Sequence, residues 1–349
     1  MTASEAFLGV AHSASGRLWR QRAYDDRLGL AIAQRLDLPE LIGQLLAARG
    51  QDLEKAAAYL EPRLRDQMPD PSLFRDMDRA ANRLADAIEK GEQIAIFGDY
   101  DVDGATSSAL LMRFLQAVGA KAPILYVPDR LAEGYGPNAP AMRQLAAQGA
   151  RLVITVDCGI TAFAPLEAAK EAGLDVLVVD HHVAEPRLPM AHAVVNPNRL
   201  DESGQHGQLA AVGVAFLVVV ATNRTLRQRG FYAGGRVEPD LMQWLDIVAL
   251  GTVADVVPLT GINRALVAQG LKVMAGRKNA GLAALSDVAR INERPSSYHA
   301  GFLLGPRVNA GGRVGRSDLG ARLLASDDAT FARSIAAELD ALNTERRDI

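Results

Sequence analysis

Ile94-Ala-Ile-Phe-Gly98 is an apolar run of strand type that empties at once into Asp99-Tyr-Asp101-Val-Asp103-Gly104, three carboxylates within five residues. Beyond it Leu110, Leu111, Phe114, Leu115 and Val118 recur at helical spacing, so the acidic turn joins a strand to a helix. In an open parallel α/β sheet that junction lies at the carboxyl edge, where ligands bind. Carboxylates so close repel one another unless a cation neutralises them, and hard divalent ions such as Mg²⁺ or Mn²⁺ prefer oxygen ligands. The competing reading is a solvated acidic turn.

Asp99, Asp101, Asp103 and Gly104 also fall on positions one, three, five and six of a calcium-binding EF-hand loop. That loop needs a bidentate Glu at its twelfth position and a helix before it; here Leu110 stands there and a β-type run precedes. Calcium is thereby disfavoured. The acidic pattern recurs instead at other strand ends: Leu152–Val156 runs into Asp157, Cys158 and Gly159, and Val176–Val179 into Asp180, His181 and His182. Parallel strands ending in Asp or His converge on one crevice. A further acid, Asp255, lies in the apolar stretch from Leu245 to Pro258, where a carboxylate is seldom buried unless paired or metal-bound. Asp246, in the same stretch, is expected on an exposed helix face.

These motifs carry a resemblance. GDYDVDG at 98–104, TVDCGI at 155–160, VVDHH at 178–182 and GTVADVVPL at 251–259 resemble the successive motifs of the DHH phosphoesterase superfamily. The segments 97–104, 130–138 and 305–313 narrow the likeness to its RecJ family, single-strand-specific 5′ to 3′ DNA exonucleases of bacteria; it spans residues 60–349. The resemblance implies metal-dependent phosphodiester hydrolysis in DNA repair and recombination, with two Mn²⁺ or Mg²⁺ ions. It implies Asp101, Asp103, Asp157, His181 and Asp255 as metal ligands, Asp157 as a bridge between the ions, and Asp99 behind them as an orienting or charge-balancing acid. Asp180 would brace the His pair and His182 would face the scissile phosphate. A family His two residues before the first acid is replaced here by Phe97. Two such ions activate water and stabilise the leaving oxygen, so no Ser or Cys nucleophile is required.

Substrate grip is expected from arginine. Between Gly281 and Arg316 stand Arg290, Arg294, Arg307, Arg313 and Arg316 against Asp287 and Glu293, with glycines that admit close backbone approach. Arg290 and Arg294 read as a solvated basic loop, whereas the resemblance implies phosphate contacts for Arg307, Asn309 and Arg313. Arg130, in the Gly- and Pro-rich loop 127–139, reads as a second phosphate contact, for the 5′ end. Tyr135 either stacks on a base or packs within that loop. Cys158, the single cysteine, offers neither a disulfide nor a thiolate cluster and reads as a small buried residue.

Composition fits without deciding: 349 residues, 49% hydrophobic, 23% charged and a net charge of −3 describe an ordinary globular protein with room for several packed units. The apolar run 210–221 is too short to span a membrane, and Ser4, Glu5 and His12 interrupt any leader-like run, so a cytoplasmic location is expected. The fold class is α/β: a DHH-type parallel sheet flanked by helices, with a helical N-terminal segment at 1–72, a catalytic domain at 73–260, and a helical region at 261–349 that carries the phosphate-binding loop. Strands are expected near 94–98, 123–127, 152–156, 175–179 and 193–195, and helices near 28–36, 40–48 and 75–90. Ser326 is expected to cap a last helix lined by Phe331, Ile335, Leu339 and Leu342, which reaches 346–349 with no stop signal. Relatives continue there into a DHHA1-type domain and an oligonucleotide-binding barrel, so weak activity is expected of this chain alone. The partners implied are single-stranded DNA, with single-strand-binding protein and a helicase, and the chain is expected to be a monomer. Two other classes stay open: a small-substrate phosphoesterase acting on oligonucleotides or cyclic dinucleotides, and a non-catalytic binding module, which the intact acid set disfavours.

Overall fold

The structure, a computed structural model, describes residues 6–348; Ser4, Glu5 and Ile349, used above for the chain ends, lie outside them. The chain divides into two compact units, Met1–Arg63 and Leu64–Ile349. In the first, α1 (Asp26–Leu36), α2 (Glu40–Ala48) and α3 (Ala56–Leu60) surround Ile32, Leu46, Ala47 and Ala56. Asp25 starts α1 by accepting the backbone N–H groups of Arg27 and Leu28.

The second unit begins nine residues earlier than the boundary expected after 72, because Leu64, Phe74 and Met77 are buried in the same apolar cluster as the sheet. After α4 (Leu64–Gln67) and α5 (Met77–Glu89), β1 (Ile94–Gly98), α6 (Val102–Ala117), β2 (Ile124–Tyr126), α7 (Ala139–Ala147), β3 (Leu152–Val156), α8 (Phe163–Glu171), β4 (Asp175–Val179) and β5 (Ala193–Val195) alternate. All pairs are parallel, in the order β2-β1-β3-β4-β5, with Ile94 opposite Leu152 and Leu152 opposite Asp175. Every residue of β1 and β3 is buried, as expected of strands covered on both faces. Ile94 and Ile96 point into the cluster containing Leu84, Leu110 and Phe216, while Ala95 and Phe97 point the other way, towards Met142, Leu145 and Leu166. The strand order reverses between β1 and β3, which opens a crevice at their carboxyl ends.

Helices follow the sheet: α9 (Ala211–Gln228), α10 (Leu245–Ala254), α11 (Gly261–Ala275), α12 (Ala280–Val288), a π-helix at His299–Leu304 that continues into α13 (Gly305–Val314), then α14 (Leu319–Ala325) and α15 (Ala329–Asp348). They pack with α6 around Leu250, Leu285, Leu304 and Leu339, within the same unit as the sheet. The apolar run 210–221 is the buried start of α9, and among the described residues no helix is long and apolar enough to cross a membrane. Three local expectations are corrected. The expected phosphate-binding loop is helical, being α13. The cap of α15 is Asp328, whose carboxylate accepts from Thr330 and Phe331, while Ser326 only receives the Asp328 N–H. Asp246 is 1% exposed rather than on a solvent face, because α10 is buried on all sides from Leu245 to Thr252 and has no such face.

Candidate metal centre

The crevice is built from strand ends and helix starts. Asp99 follows β1, and its N–H bonds to the Val156 carbonyl of β3, which holds the acidic turn against the neighbouring strand. Asp101 caps α6, with one oxygen accepting from Asp103 N (2.9 Å) and Gly104 N (3.0 Å). Gly104 is required there, since a Cβ would collide with the Asp99 backbone. Asp103, in the first turn of α6, accepts from Ala211 N (2.6 Å) and Val212 N (2.8 Å) at the start of α9, so the positive end of a second helix holds it. Asp157 follows β3 in the left-handed conformation (φ 59°), and Asp255 ends α10 just before Val256 (φ 62°). Backbone held in this sparsely populated region clusters at functional sites.

The histidines close the crevice. His181 Nδ1 lies 3.1 Å from the Leu209 carbonyl and 3.7 Å from Asp255 Oδ2, while Nε2 lies 3.3 Å from Asp157 Oδ1 and 3.9 Å from Asp103 Oδ2. His182 Nδ1 is 2.7 Å from Asp180 Oδ1, and Asp180 also accepts from Ile160 N, His181 N and His182 N. Asn196 and Asn198 donate to the carbonyls of His182 and His181 and fix the pair from behind. Three groups bring ligand-capable atoms within 4.8 Å of one another: Asp99, Asp101 and Asp157; Asp157, His181 and His182; Asp103, His181 and Asp255. All five residues expected as ligands are in these groups. So are Asp99 and His182, to which the sequence reading gave other roles; Asp180 is in none and touches His182 instead.

Electrostatics show what the site lacks. Burial, then the Asp101 charge, pushes Asp99 up to about 7. Burial also raises Asp103, with the nearby Asp255 charge, and Asp157, with the Asp103 charge, well above the carboxylate range; Asp255 is raised for the same first reason, against the pull of His181. Asp180 behaves oppositely: burial would raise it, but the bonds from His182 and the backbone hold it low, and Asp180 in turn raises His182. Asp99 Oδ1 and Asp255 Oδ2 are buried without any hydrogen-bond donor. Buried acceptors in that state need a partner, and five carboxylates, Asp99, Asp101, Asp103, Asp157 and Asp255, gathered with imidazole nitrogen suit divalent cations. The thiol of Cys158 lies against the Phe97 and Val156 carbonyls and is raised by burial, so it adds no soft ligand.

The residues expected to grip substrate divide. Arg130 sits at the rim with its guanidinium 5.2 Å from the Tyr100 ring centre, and Arg313 is exposed. Tyr135 donates to the Asp157 carbonyl (3.0 Å) and its ring meets His182 edge-on, so it packs on the site while half exposed. Arg307 and Asn309, expected to contact phosphate, are occupied by the protein. Arg307 is buried on Asp340 (2.8 Å) and the Leu303 carbonyl (2.8 Å), and Asn309 Oδ1 accepts from Val102 N (3.1 Å) at the start of α6. Sequence reasoning did not find Tyr100, Asn196, Asn198 or the Leu209 carbonyl; the Asn196-Pro-Asn198 turn was the one available signal.

Comparison with known proteins agrees with this geometry. Residues 93–252 match the family model described as DHH family, N-terminal domain. The chain is 42% identical over 315 residues to the single-stranded-DNA-specific exonuclease RecJ of Dickeya dadantii, covering 89% of this chain and 54% of that protein, and 39% identical over 333 residues to that of Escherichia coli, covering 95% and 56%. It therefore spans about half the length of the curated relatives it matches. A crystal structure of exonuclease RecJ bound to manganese superposes with a TM-score of 0.70 at 35% identity, covering 79% of this chain and 67% of that one. RecJ of Thermus thermophilus in complex with Mn²⁺ gives 0.76 at 29%, covering 94% and 45%. The chain belongs to the DHH family and, within it, to the RecJ branch.

Proposed function

We propose that this chain carries the hydrolytic centre of a divalent-metal-dependent phosphodiesterase that degrades single-stranded DNA from its 5′ end. The observation that carries the reading is the linked ligand set: Asp157 and His181 each belong to two of the three groups, at the switch point of a parallel sheet. The polymer and the choice of Mn²⁺ or Mg²⁺ rest on kinship with relatives named as single-stranded-DNA-specific exonucleases and solved with those ions, and the 5′ polarity on the resemblance of the sequence motifs alone. Kinship alone also supports the finer reading of a cytoplasmic monomer in DNA repair and recombination, beside single-strand-binding protein and a helicase.

Asp99, Asp101, Asp103, Asp157, His181 and Asp255 would hold two ions, which when bound supply Lewis-acid stabilisation of the phosphate and a lowered pKa for an attacking water. The chain's own groups prepare that step. With Nδ1–H donated to the Leu209 carbonyl, His181 keeps the lone pair of Nε2 towards Asp157 and Asp103. Asp180 takes the Nδ1–H of His182, which retains the ring's proton to higher pH and leaves Nε2–H to donate to a phosphate oxygen. Arg130 and Arg313 supply positive charge around Tyr100, with Arg130 the candidate for the 5′ phosphate.

The test is a strand labelled at its 5′ or its 3′ end, incubated with wild type or Asp101→Ala in Mn²⁺ or EDTA. Wild type in Mn²⁺ should release the 5′ label first, with no cleavage in EDTA or by the variant. Calorimetric Mn²⁺ binding without strand cleavage would overturn the substrate, and the absence of binding would overturn the centre.

A further inference from the structure

An exposed aromatic pair stands beside this centre without a role. Tyr298 and Phe302 are 59% and 71% exposed, and their rings stack with centroids 5.4 Å apart. They project from the π-helix and the residue that opens it, and π-turns occur frequently at functional sites. The inner side of the same continuous helix is tied to the metal centre's scaffold. Gly301 faces Val253 and Gly305 faces Ala254 and Val102; Asn309 accepts from Val102, and Gly312 presses on the Tyr100 carbonyl, where a Cβ would collide. Val102 and Tyr100 flank Asp101, and Val253 and Ala254 immediately precede Asp255.

The outer side is continuous too. Phe302, in the π-helix, and Arg313, near the end of α13, are both exposed on this one continuous helical segment, eleven residues apart. Arg313 follows Gly312, which presses on Tyr100, and Arg130 lies over the Tyr100 ring, so the helix that begins at the aromatic pair ends at the rim of the metal centre. Arg290 and Arg294, in the preceding loop, are exposed and form no ion pair with another described residue, while Glu293 is turned onto His299 (3.1 Å). An exposed aromatic pair, with exposed arginines in the loop before it and at the far end of its helix, matches a chain of bases on a phosphate backbone, because every base offers a π-face and every linkage a charge.

We infer that Tyr298 and Phe302 form a stacking platform for unpaired bases of the strand whose phosphodiester enters the metal centre, with Arg290, Arg294 and Arg313 meeting its phosphates. The inference rests on the nucleic-acid reading of the site and adds a means of selectivity. Bases in a duplex are already stacked and paired, so the platform is open only to a single strand.

Fluorescence anisotropy in EDTA, so that the strand stays intact, compares a labelled oligothymidylate with an abasic strand of equal length, on wild type, Tyr298→Ala/Phe302→Ala and Tyr298→Leu/Phe302→Leu. The Leu variant keeps apolar bulk but no π-face. Wild type should prefer the thymidylate, and both variants should weaken it by about fivefold or more while binding the abasic strand as wild type does. Equal losses on both strands, no loss, or no wild-type preference for bases would each overturn the platform. Hydrolysis of thymidine 5′-(p-nitrophenyl phosphate) by wild type in Mn²⁺, read in parallel, separates the two failures. If that small diester is cleaved while bases go unrecognised, the platform is wrong and the centre stands; if it is not cleaved, the phosphodiesterase reading fails on its own.

Discussion

At the carboxyl ends of β1 and β3, buried acids face one another with oxygens left over; along α13, a few residues away in space, buried polar groups have everything they need. Asp99 Oδ1 and Asp255 Oδ2 lack donors, whereas Arg307 is spent on Asp340 and the Leu303 carbonyl and Asn309 on the first turn of α6. Both regions are rich in motif-like residues, and only one has unmet chemistry. A buried group left unsatisfied costs free energy that a ligand can recover, while a satisfied one already does its work in the fold. We take the acids as the candidate site and the inward side of α13, with Arg307, Asn309 and Gly312, as the frame that holds the α6 start and the Tyr100 turn, leaving only its exposed Arg313 to face outward.

The largest effect that could break this contrast is at Asp157, which belongs to two ligand groups and is raised well above the carboxylate range by burial and the Asp103 charge. Asp157→Asn should lower strand cleavage by about 10³-fold or more, the scale of losing a key electrostatic group from an active site. In EDTA at pH 8 the same variant should unfold at a higher temperature than wild type, because a carboxylate that resists ionisation in the folded state opposes folding above its pKa. Added Mn²⁺ should then stabilise wild type and leave the variant almost unmoved. A variant less stable than wild type in EDTA would show that Asp157 is structural.

Asp246 sharpens the comparison from the other side, as an acid buried outside the centre. Burial pushes it up to about 6, and its carboxylate accepts from Ile247 N (2.8 Å). Its folded pKa lies above the unfolded value near 3.9. The folded state therefore keeps a proton that the unfolded chain loses, and stability falls as pH rises from about 4 to about 6. Above that window the ionised group costs on the order of 3 kcal/mol. Asp246→Asn should be more stable than wild type by about that amount at pH 7.5 and equal to it near pH 4, with cleavage in Mn²⁺ retained. Urea unfolding at the two pH values measures it, and a gain that did not depend on pH would refute the cause.

How much of this the sequence carried follows from range. β1, β3 and β4 are short, dominated by buried apolar residues and followed at once by acids, and strands buried on both faces leave that signature, so the sheet and its carboxyl edge were legible from local pattern alone. Helix starts were less so: α6 begins at Val102, ahead of its apolar periodicity, because Asp101 caps it. Asp246 was misread as exposed although the surrounding run, Leu245 to Ala254, contains no other charge; a helix without a polar face is buried all round. The pairing of Arg307 could not be read because its partner, Asp340, is 33 positions away on α15, and a pairing made by tertiary packing leaves no spacing to detect. Asp99 was set behind the ligands and His182 towards the phosphate, since nothing in the order of residues tells which oxygen ends without a donor.

The smallest effect concerns that Arg307–Asp340 pair and decides between frame and grip. The arginine is buried but Asp340 is over a third exposed, so a freed Asp340 can turn to water, and Arg307→Met should cost only about 1–2 kcal/mol in urea unfolding. An Asp340→Asn background should absorb most of that loss, because the two substitutions remove one interaction. KM for a single strand, corrected for folded fraction, should not move. A phosphate-gripping arginine would behave in reverse: stability would hold, KM would rise several-fold, and the slope of log affinity against log salt would fall by about one unit or slightly less. That outcome would return α13 to the substrate and leave the division between satisfied frame and unsatisfied site without its second half.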